Sequence, residues 1–194
     1  MLTAASFSPE QQELLETLLL DGGEDWNAFP LSFAQQRLWF LDRFDPGAST
    51  YNISGLLEMT GPLDVPALRA ALAAVVQRHE ILRSTFLEVR GNPVQVIAPE
   101  PSVDLLMADL SGLPESLRET EARRLSGQEA RRGFDLAAGP LLRPALLRLG
   151  ARRHLLCLTL HHIVSDGWSS RIFARDLAEL YGSALSGAPA RAEP

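Results

Sequence analysis

The sequence predicts an α/β protein, a two-layer α/β sandwich in which a mixed sheet is covered by helices. Amphipathic runs of helical length alternate with short apolar runs of strand length. Turns that contain glycine or proline join some of the apolar runs into hairpins. The chain of 194 residues is long enough for one sizeable core and too short for two comfortable domains. Interleaved strands and helices of this kind bury their apolar faces by layering.

The N-terminal part predicts two helices separated by a linker. The first helix runs from Ser8 to about Leu20, with Pro9 at the first helical position. The sequence "DGGEDWNAFP" that follows is interpreted as a linker. A second helix is expected from Ser32 to Phe44, with an uneven apolar stripe. Residues 1–30 are therefore assigned to a leader or linker helix, which either docks an upstream chain or packs as a solvated leader.

The middle of the chain predicts alternating strands and helices. A strand from Tyr51 to Met59 precedes the helix "VPALRAALAAVVQRHEILR", for which Asp64 is the N-cap. The sequence "STFLEVRGNPVQVIAP" predicts a hairpin with its turn at Arg90-Gly91-Asn92-Pro93. The sequence "SVDLLMADLS" predicts another strand, and a charged amphipathic helix is expected from Leu117 to Arg132.

The C-terminal part predicts a buried hairpin and a last helix. The apolar strands "LLRPALLRLG" and "RHLLCLTLHH" are joined by Gly150-Ala151-Arg152. The last helix runs from about Trp168 to Ala184. The tail "SGAPARAEP" is polar and rich in proline and alanine, so residues 188–194 are interpreted as a linker. Residues 31–187 form the predicted domain.

Composition excludes several classes of function. A net charge of −6 and a pI near 5.2 argue against nucleic acid or an anionic membrane as the main partner. The single cysteine, Cys157, excludes an internal disulfide and fits a reducing cytosol, so a cytoplasmic location is expected. The first residues lack the basic and apolar regions of a signal peptide. No apolar run approaches the ~20 residues of a membrane span.

Two adjacent histidines end the most apolar predicted strand, in "RHLLCLTLHHIVSDGWSS". Neighbouring side chains of a strand face opposite ways, so one of His161 and His162 should pack inward and the other face the opening. Asp166 is expected to hold the following loop. Gly167 either supplies a positive φ or is small enough for tight packing.

The histidine pair has three interpretations from its residues alone. A neutral histidine can take a proton from an amine, hydroxyl or thiol, which makes a catalytic site. Hydrogen-bonded histidines can also simply end a buried strand. A metal site is the weakest interpretation, because adjacent strand residues diverge and no Cys, His or Glu cluster completes a tetrahedron.

Three motifs together resemble one family. The sequence "HHIVSDGWS" resembles the HHxxxDG signature of condensation domains in nonribosomal peptide synthetases, which are relatives of chloramphenicol acetyltransferase. The sequence "LSFAQQRLWFLDRF" resembles the family's first motif, SxAQxRLWxL. The sequence "RHEILRSTF" resembles the second, RHExLRTxF, with Ser84 where threonine is usual. Residues 31–187 are thus identified as the N-terminal lobe of such a domain, with a chloramphenicol acetyltransferase-like fold.

The resemblance implies an activity and roles for four residues. Condensation domains join an acyl or peptidyl thioester on one carrier protein to the amine of an aminoacyl thioester on the next. His162 would lie at the reacting amine, either as general base or as the group that positions the amine. His161 would pack and hydrogen-bond, and Asp166 would pair with an arginine. Gly167 would let the chain turn and leave room near the amine.

The second motif implies supporting residues. Arg78 and Arg83 lie near a helix C-terminus, where cations are favourable, and are carried over as supporting the active-site fold only. The implied partners are the donor and acceptor peptidyl carrier proteins, the C-terminal lobe of the same domain and an adjacent adenylation domain. The substrates hang on phosphopantetheine arms, and no metal or other cofactor is expected to bind the lobe directly.

The chain resembles only the first of the two lobes of a condensation domain. It is therefore expected to fold, to expose an apolar lobe interface and to lack activity alone. The subtype stays open between a domain that joins two L-configured residues and a starter domain that accepts a fatty acyl group. Two rival functions also stay open: a carrier-protein docking module without catalysis, and an acyltransferase that uses coenzyme A.

Overall fold

The computed structural model describes residues 27–89, 91–167 and 169–187. The predicted leader helix before residue 27, the tail 188–194, Arg90 in the predicted hairpin turn and Trp168 at the predicted start of the last helix lie outside the described residues.

The described residues form seven strands, four α-helices and one short 3-10 helix. Their order is β1 (Asn27–Pro30), α1 (Phe33–Phe44), β2 (Asn52–Thr60), α2 (Val65–Arg78), the 3-10 helix (Glu80–Arg83), β3 (Ser84–Val89), β4 (Asn92–Ile97), β5 (Leu106–Asp109), α3 (Glu115–Arg131), β6 (Leu142–Gly150), β7 (Arg153–His161) and α4 (Ser169–Ser186).

The strands divide into two sheets. The larger has the order β2-β7-β6-β5, and it is mixed because β5 pairs parallel with β6 while its other pairs are antiparallel. The smaller is antiparallel, with the order β1-β4-β3. The predicted α/β class with a mixed sheet and covering helices is confirmed, as are both hairpins.

The last four residues of the predicted linker "DGGEDWNAFP" are a strand, so that prediction was wrong there. Ala28 is buried and pairs with Val96 of β4. The strand is four residues long and ends at Pro30, so its local pattern is too short to predict a strand. Its hydrogen-bond partner lies far away in the chain.

Two helices begin at side-chain caps, of which Asp64 was predicted, and one helix ends earlier than predicted. Ser32 and Gln35 form a reciprocal capping box at the start of α1. Asp64 Oδ1 accepts a 2.8 Å hydrogen bond from the Ala67 N–H at the start of α2. The predicted helix continued to Arg83, but α2 ends at Arg78 because His79 is extended, with φ −108° and ψ 95°. The remaining part of the predicted helix is the 3-10 helix.

The larger sheet is covered on both faces. Leu156, Leu158 and Leu160 of β7 pack with α2 and α4 in one cluster. Cys157 packs on the opposite face with Ala122 of α3. Burial on both sides explains why β7 is a continuous apolar run rather than an alternating one. No described helix has the length and apolar character required to cross a membrane.

Candidate active site at the end of strand β7

Strand β7 carries the histidine pair to the end of the larger sheet. Even-numbered side chains of this strand face α2 and α4, while Cys157 faces α3. His161 is buried, with a relative exposure of 1%, whereas His162 is exposed. The structure therefore separates the two imidazoles as the alternation predicts, with one in the core and the other open to a ligand.

His161 is held in the core in its neutral form. Its Nδ1 accepts a 3.1 Å hydrogen bond from the N–H of Ile163, so the neutral ring carries its proton on Nε2. The rings of Phe134 and Tyr51 meet the imidazole edge-on, at centroid distances of 6.1 and 6.4 Å. Burial, and to a smaller extent the neighbouring charge of His162, lowers the pKa of His161 to about 4. His161 is thus suited to fixing the turn rather than to taking up protons near pH 7.

The backbone of His162 is fixed while its ring is accessible. Its N–H donates a 2.8 Å hydrogen bond to the carbonyl of Tyr51, which extends the pairing of β2 and β7 by one position. Its carbonyl accepts a 3.4 Å hydrogen bond from the N–H of Ser165. A ring on a peptide held from both sides is placed with little loss of conformational freedom when a substrate binds.

Asp166 forms the start of α4. Its Oδ1 accepts a 2.8 Å hydrogen bond from the N–H of Ser169, and its own N–H donates to Ser169 Oγ at 2.8 Å. These reciprocal bonds satisfy donors that a helix N-terminus otherwise leaves unpaired. The arginine partner implied by the resemblance stays a prediction.

Gly167 is required neither for a positive φ nor for tight packing. Its φ lies outside the left-handed region, so a positive φ does not explain the glycine. A Cβ built at Gly167 would meet no heavy atom within 4 Å, apart from its chain neighbours, so tight packing in this part of the chain does not explain it either. The room near the amine that the resemblance implies for Gly167 stays a prediction.

Arg78 lies in a charged cluster between α2 and α4. Its Nη1 is 3.5 Å from Oδ2 of Asp176, and His79 Nε2 is 2.8 Å from the same oxygen. Asp176 is buried, and Arg175 also contacts it at 2.9 Å. Burial acts to raise the pKa of Asp176, but hydrogen bonds from His79 and Arg175 outweigh burial and lower it.

The sequence analysis missed Asp176, although the sequence contains a signal. Asp176 stands directly between positions that the periodicity of α4 assigns to the core, beside Phe173 and Leu177. An acid on the apolar stripe of a helix predicts a buried partner, because an unpaired buried carboxylate is costly.

Arg83 contacts the backbone that follows β4. Its Nη1 donates to the carbonyls of Ala98 and Pro99, and its Nη2 lies 3.3 Å from Glu80 Oε1. These contacts tie the 3-10 helix to the end of β4. The structure therefore places Arg83 where the 3-10 helix meets the residues that follow β4.

An apolar pocket of about 360 Å³ lies on the α2 and α4 side of the larger sheet. The histidine turn comprises residues 161–165. Its residues Val164 and Ser165 line the pocket together with Leu158 and Leu160 of β7. Among the described residues, no group of three or more His, Cys, Asp or Glu side chains could hold a metal ion.

Comparison with known proteins finds one family. A family model of the condensation domain matches residues 26–194. A linear gramicidin synthase of Brevibacillus parabrevis is 45% identical over 183 residues, which cover 89% of this chain and 4% of that protein. Phosphinothricin tripeptide synthetase PhsC of Streptomyces viridochromogenes is 42% identical over 202 residues, which cover 98% of this chain and 19% of that protein.

Solved structures agree in fold. The first condensation domain of the calcium-dependent antibiotic synthetase, in complex with a substrate analogue, has a TM-score of 0.80 at 34% identity. The match covers 87% of this chain and 40% of that one. The starter condensation domain of rhizomide synthetase has a TM-score of 0.79 at 24% identity and shares the fold. The chain thus spans a small part of the curated relatives it matches and about two fifths of these solved domains.

Proposed function

The chain belongs to the condensation-domain family, and we propose that it supplies the half of an amide-forming site that carries His162. The donor would be an acyl or peptidyl thioester and the acceptor the amine of an aminoacyl thioester. One observation carries this proposal: the histidine turn buries a neutral His161 and presents an exposed His162 on a fixed backbone.

The proposed reaction needs little beyond positioning and one proton acceptor. The amine nitrogen attacks the thioester carbon, the new C–N bond forms and the C–S bond breaks. The nitrogen gives up one proton, and the leaving thiolate takes one to become a free thiol. His162 would contact the amine and either accept its proton or hold it in line with the carbonyl. A thioester is already activated, so the exposed imidazole meets the chemical demand.

The partners follow from the same proposal. Both substrates would arrive on the phosphopantetheine arms of a donor and an acceptor carrier protein, and an adenylation domain of the synthetase would load the amino acid. The rest of the condensation domain would supply the wall opposite His162. In support, the solved domains extend well beyond the region that this chain matches. The chain also exposes large apolar side chains, among them Leu56 of β2 and Phe33 of α1. We therefore expect the chain alone to be inactive.

The test is detection of product on the acceptor carrier protein by intact mass. Three proteins are compared with loaded donor and acceptor thioesters: the complete condensation domain that contains this chain, its His162→Ala variant and the chain alone. Product from the complete domain, and little from the other two, is expected. No product from a well-folded complete domain across several thioester pairs would favour a docking module. If the variant forms as much product as the complete domain, His162 does not have the proposed role, although amide formation itself is supported.

A further inference from the structure

We propose that Arg143 of β6 is a positioning residue for His162 and that it acts through the rings of Phe134 and His161. This inference deepens the proposed function and rests on it, because it names the side chains that hold the proposed proton acceptor in place. The contacts run from the end of α3 to the histidine turn.

Arg143 lies on the face of the larger sheet that α3 covers. It pairs with Thr159 of β7, and cross-strand partners share a face. Side chains at alternate positions of a strand also share a face, so Cys157, Thr159 and His161 belong together. Cys157 packs against α3. Arg143 and His161 therefore project from the same face of the sheet.

The guanidinium of Arg143 holds the backbone at the C-terminal end of α3. Its Nη1 donates a 2.9 Å hydrogen bond to the carbonyl of Gly133. Its Nη2 donates to the carbonyls of Glu129 and Arg132. A helix leaves its last carbonyls without partners inside the helix, so these bonds satisfy them. The backbone that leads from α3 to Phe134 is thereby attached to β6.

The same guanidinium stacks on the ring of Phe134. Its Cζ lies 3.6 Å from the ring centroid, so the flat cation contacts the aromatic face. The ring is buried and meets the imidazole of His161 edge-on, at a centroid distance of 6.1 Å. One aromatic ring therefore contacts both the guanidinium and the imidazole. In a close-packed interior, a shift of Arg143 moves the surface against which His161 packs.

His161 and Phe134 together support the peptide that carries His162. The Nδ1 of His161 accepts the 3.1 Å hydrogen bond from the N–H of Ile163, and the N–H of His161 donates to the carbonyl of Leu141 at 3.1 Å. Ile163 also belongs to the same apolar cluster as Phe134. The residues on both sides of His162 thus depend on the Phe134 ring. A misplacement of about 1 Å at a catalytic group can lower the rate by about a hundredfold.

The burial of Arg143 supports a role in geometry rather than in stability alone. Its side chain is 12% exposed. Burial lowers the pKa of the guanidinium, although the Glu129 carboxylate, 3.4 Å from Nε, acts to raise it. Apolar side chains of similar size often replace a buried charge without loss of stability. Arginine, however, combines a flat face for stacking with donors in its plane, which neither lysine nor methionine does.

The experiment compares variants of the complete condensation domain that contains this chain. Arg143→Met retains an apolar contact with Phe134 but loses the hydrogen bonds, Arg143→Lys retains the charge but loses the flat stack, and Phe134→Leu removes the ring. Each variant should lower kcat by about tenfold to a hundredfold and leave KM for both loaded carrier proteins within about twofold, because His162 acts on the transition state.

Hydrogen exchange follows the same contacts without the use of activity. The Ile163 N–H that bonds to His161 Nδ1 reports directly on the position of that ring. In each of these variants its exchange at pH 7 should accelerate by about tenfold or more relative to the amides of Leu158 and Leu160, because the histidine turn loosens while the middle of β7 does not.

Arg118→Met is the matched control. The Nε and Nη2 of Arg118 donate to the carbonyls of Leu113 and Ser111, before the start of α3. Among the described residues, Arg118 stacks on no aromatic ring. The control should lower the melting temperature and leave kcat and the exchange of Ile163 unchanged. A loss of kcat as large as that of Arg143→Met would assign the effect to general destabilisation and overturn the proposal.

A double variant tests whether Arg143 acts through Phe134. In the Phe134→Leu background, Arg143→Met should lower kcat by less than about a further twofold, because the contact that it disturbs is already gone. Losses that multiply would show that Arg143 acts by another route and would overturn the proposal. If Arg143→Met does not fold, Arg143→Lys takes its place in both measurements and in the double variant.

The two measurements separate this proposal from the proposed function. A lower kcat without faster exchange of Ile163, or faster exchange at an unchanged kcat, overturns the positioning role. Full activity of Arg143→Lys also overturns it, because the charge alone would then suffice. A wild-type domain that forms no amide overturns the proposed function. In that case faster exchange of Ile163 in the variants still supports the contacts from Arg143 to the histidine turn, and unchanged exchange overturns them.

Discussion

Nε2 of His79 lies 2.8 Å from Oδ2 of Asp176, and this contact ties the end of α2 to the middle of α4. Arg78 reaches the same oxygen, at 3.5 Å. The last residues of α2 are thereby held against the helix that begins directly after the histidine turn. The second sequence motif thus contacts α4 through Arg78 and His79.

Replacement of Asp176 by alanine should strongly destabilise the domain. The carboxylate is buried, and its loss removes the oxygen that His79 Nε2 and Arg78 Nη1 both contact. Removal of one partner of a buried ion pair costs about 3 kcal/mol or more. Urea unfolding of the complete domain at pH 7 measures this loss. The control is Glu121→Ala, whose partner Arg124 is exposed on α3, and which should change stability little.

The free energy of unfolding should depend on pH through the protonation of His161. Burial lowers the pKa of His161 to about 4, below its ordinary value of 6.5. Above pH 6.5 the ring is neutral in both the folded and the unfolded state and has no effect. As the pH falls from 6.5 to about 4, His161 becomes protonated in the unfolded chain but stays neutral in the folded chain. Stability should therefore fall by about 3 kcal/mol across this window.

The variant His161→Gln separates this effect from other titrations. Glutamine cannot take up a proton, so the decrease in unfolding free energy between pH 6.5 and 4 should become smaller than in the wild-type domain. Urea unfolding at several pH values in this range provides the measurement. An equally steep decrease in the variant would show that His161 is not the group responsible.

Replacement of His162 by glutamine should distinguish proton transfer from positioning. Glutamine retains hydrogen-bonding atoms at the turn but cannot accept the amine proton at neutral pH. If His162 is the proton acceptor, amide formation falls by about a hundredfold or more. The expected result is this loss, at an unchanged melting temperature because the side chain is exposed. A variant that retains most activity would assign His162 to positioning.

Gly167→Ala tests whether the open space at Gly167 belongs to the substrate. The added methyl group would meet no heavy atom within 4 Å, and the φ of Gly167 is open to alanine, so the melting temperature should stay the same or rise slightly. Amide formation should nevertheless fall, because the methyl group enters space that the amine needs. Steady-state kinetics with both thioesters measure it. Full activity would show that this space is not used.

The sequence predicted those features that depend on local pattern. The alternation of β7 correctly separated His161 from His162, and the cap at Asp64 correctly predicted the start of α2. The strand at Ala28 was missed because its stability comes from pairing with β4, which no local pattern reports. Long-range pairing overrides local propensity in such short segments.

The apolar pocket of about 360 Å³ was also beyond the reach of the sequence. The pocket is lined by residues of β2, β7 and α4. Its volume depends on how the side chains of these elements pack against one another.

A further glycine is required by the fold itself. A Cβ at Gly133 would lie 1.6 Å from the carbonyl oxygen of Gly47, which is an impossible contact. Gly133 precedes Phe134, whose ring packs edge-on against His161. Gly133→Ala should therefore push apart the loops before β2 and before β6 and disturb the support of the histidine turn.

The expected cost of Gly133→Ala is at least about 2 kcal/mol of unfolding free energy, because neither backbone can give way without breaking hydrogen bonds. The matched control is Gly182→Ala on the exposed side of α4, where a Cβ meets nothing within 4 Å. This control should instead gain about 0.5 to 1 kcal/mol, since alanine favours a helix over glycine. Urea unfolding of the two variants beside the wild-type domain gives both values. Equal stability of Gly133→Ala and the wild type would contradict the close approach of the two loops, and with it the account of how Phe134 is held against His161.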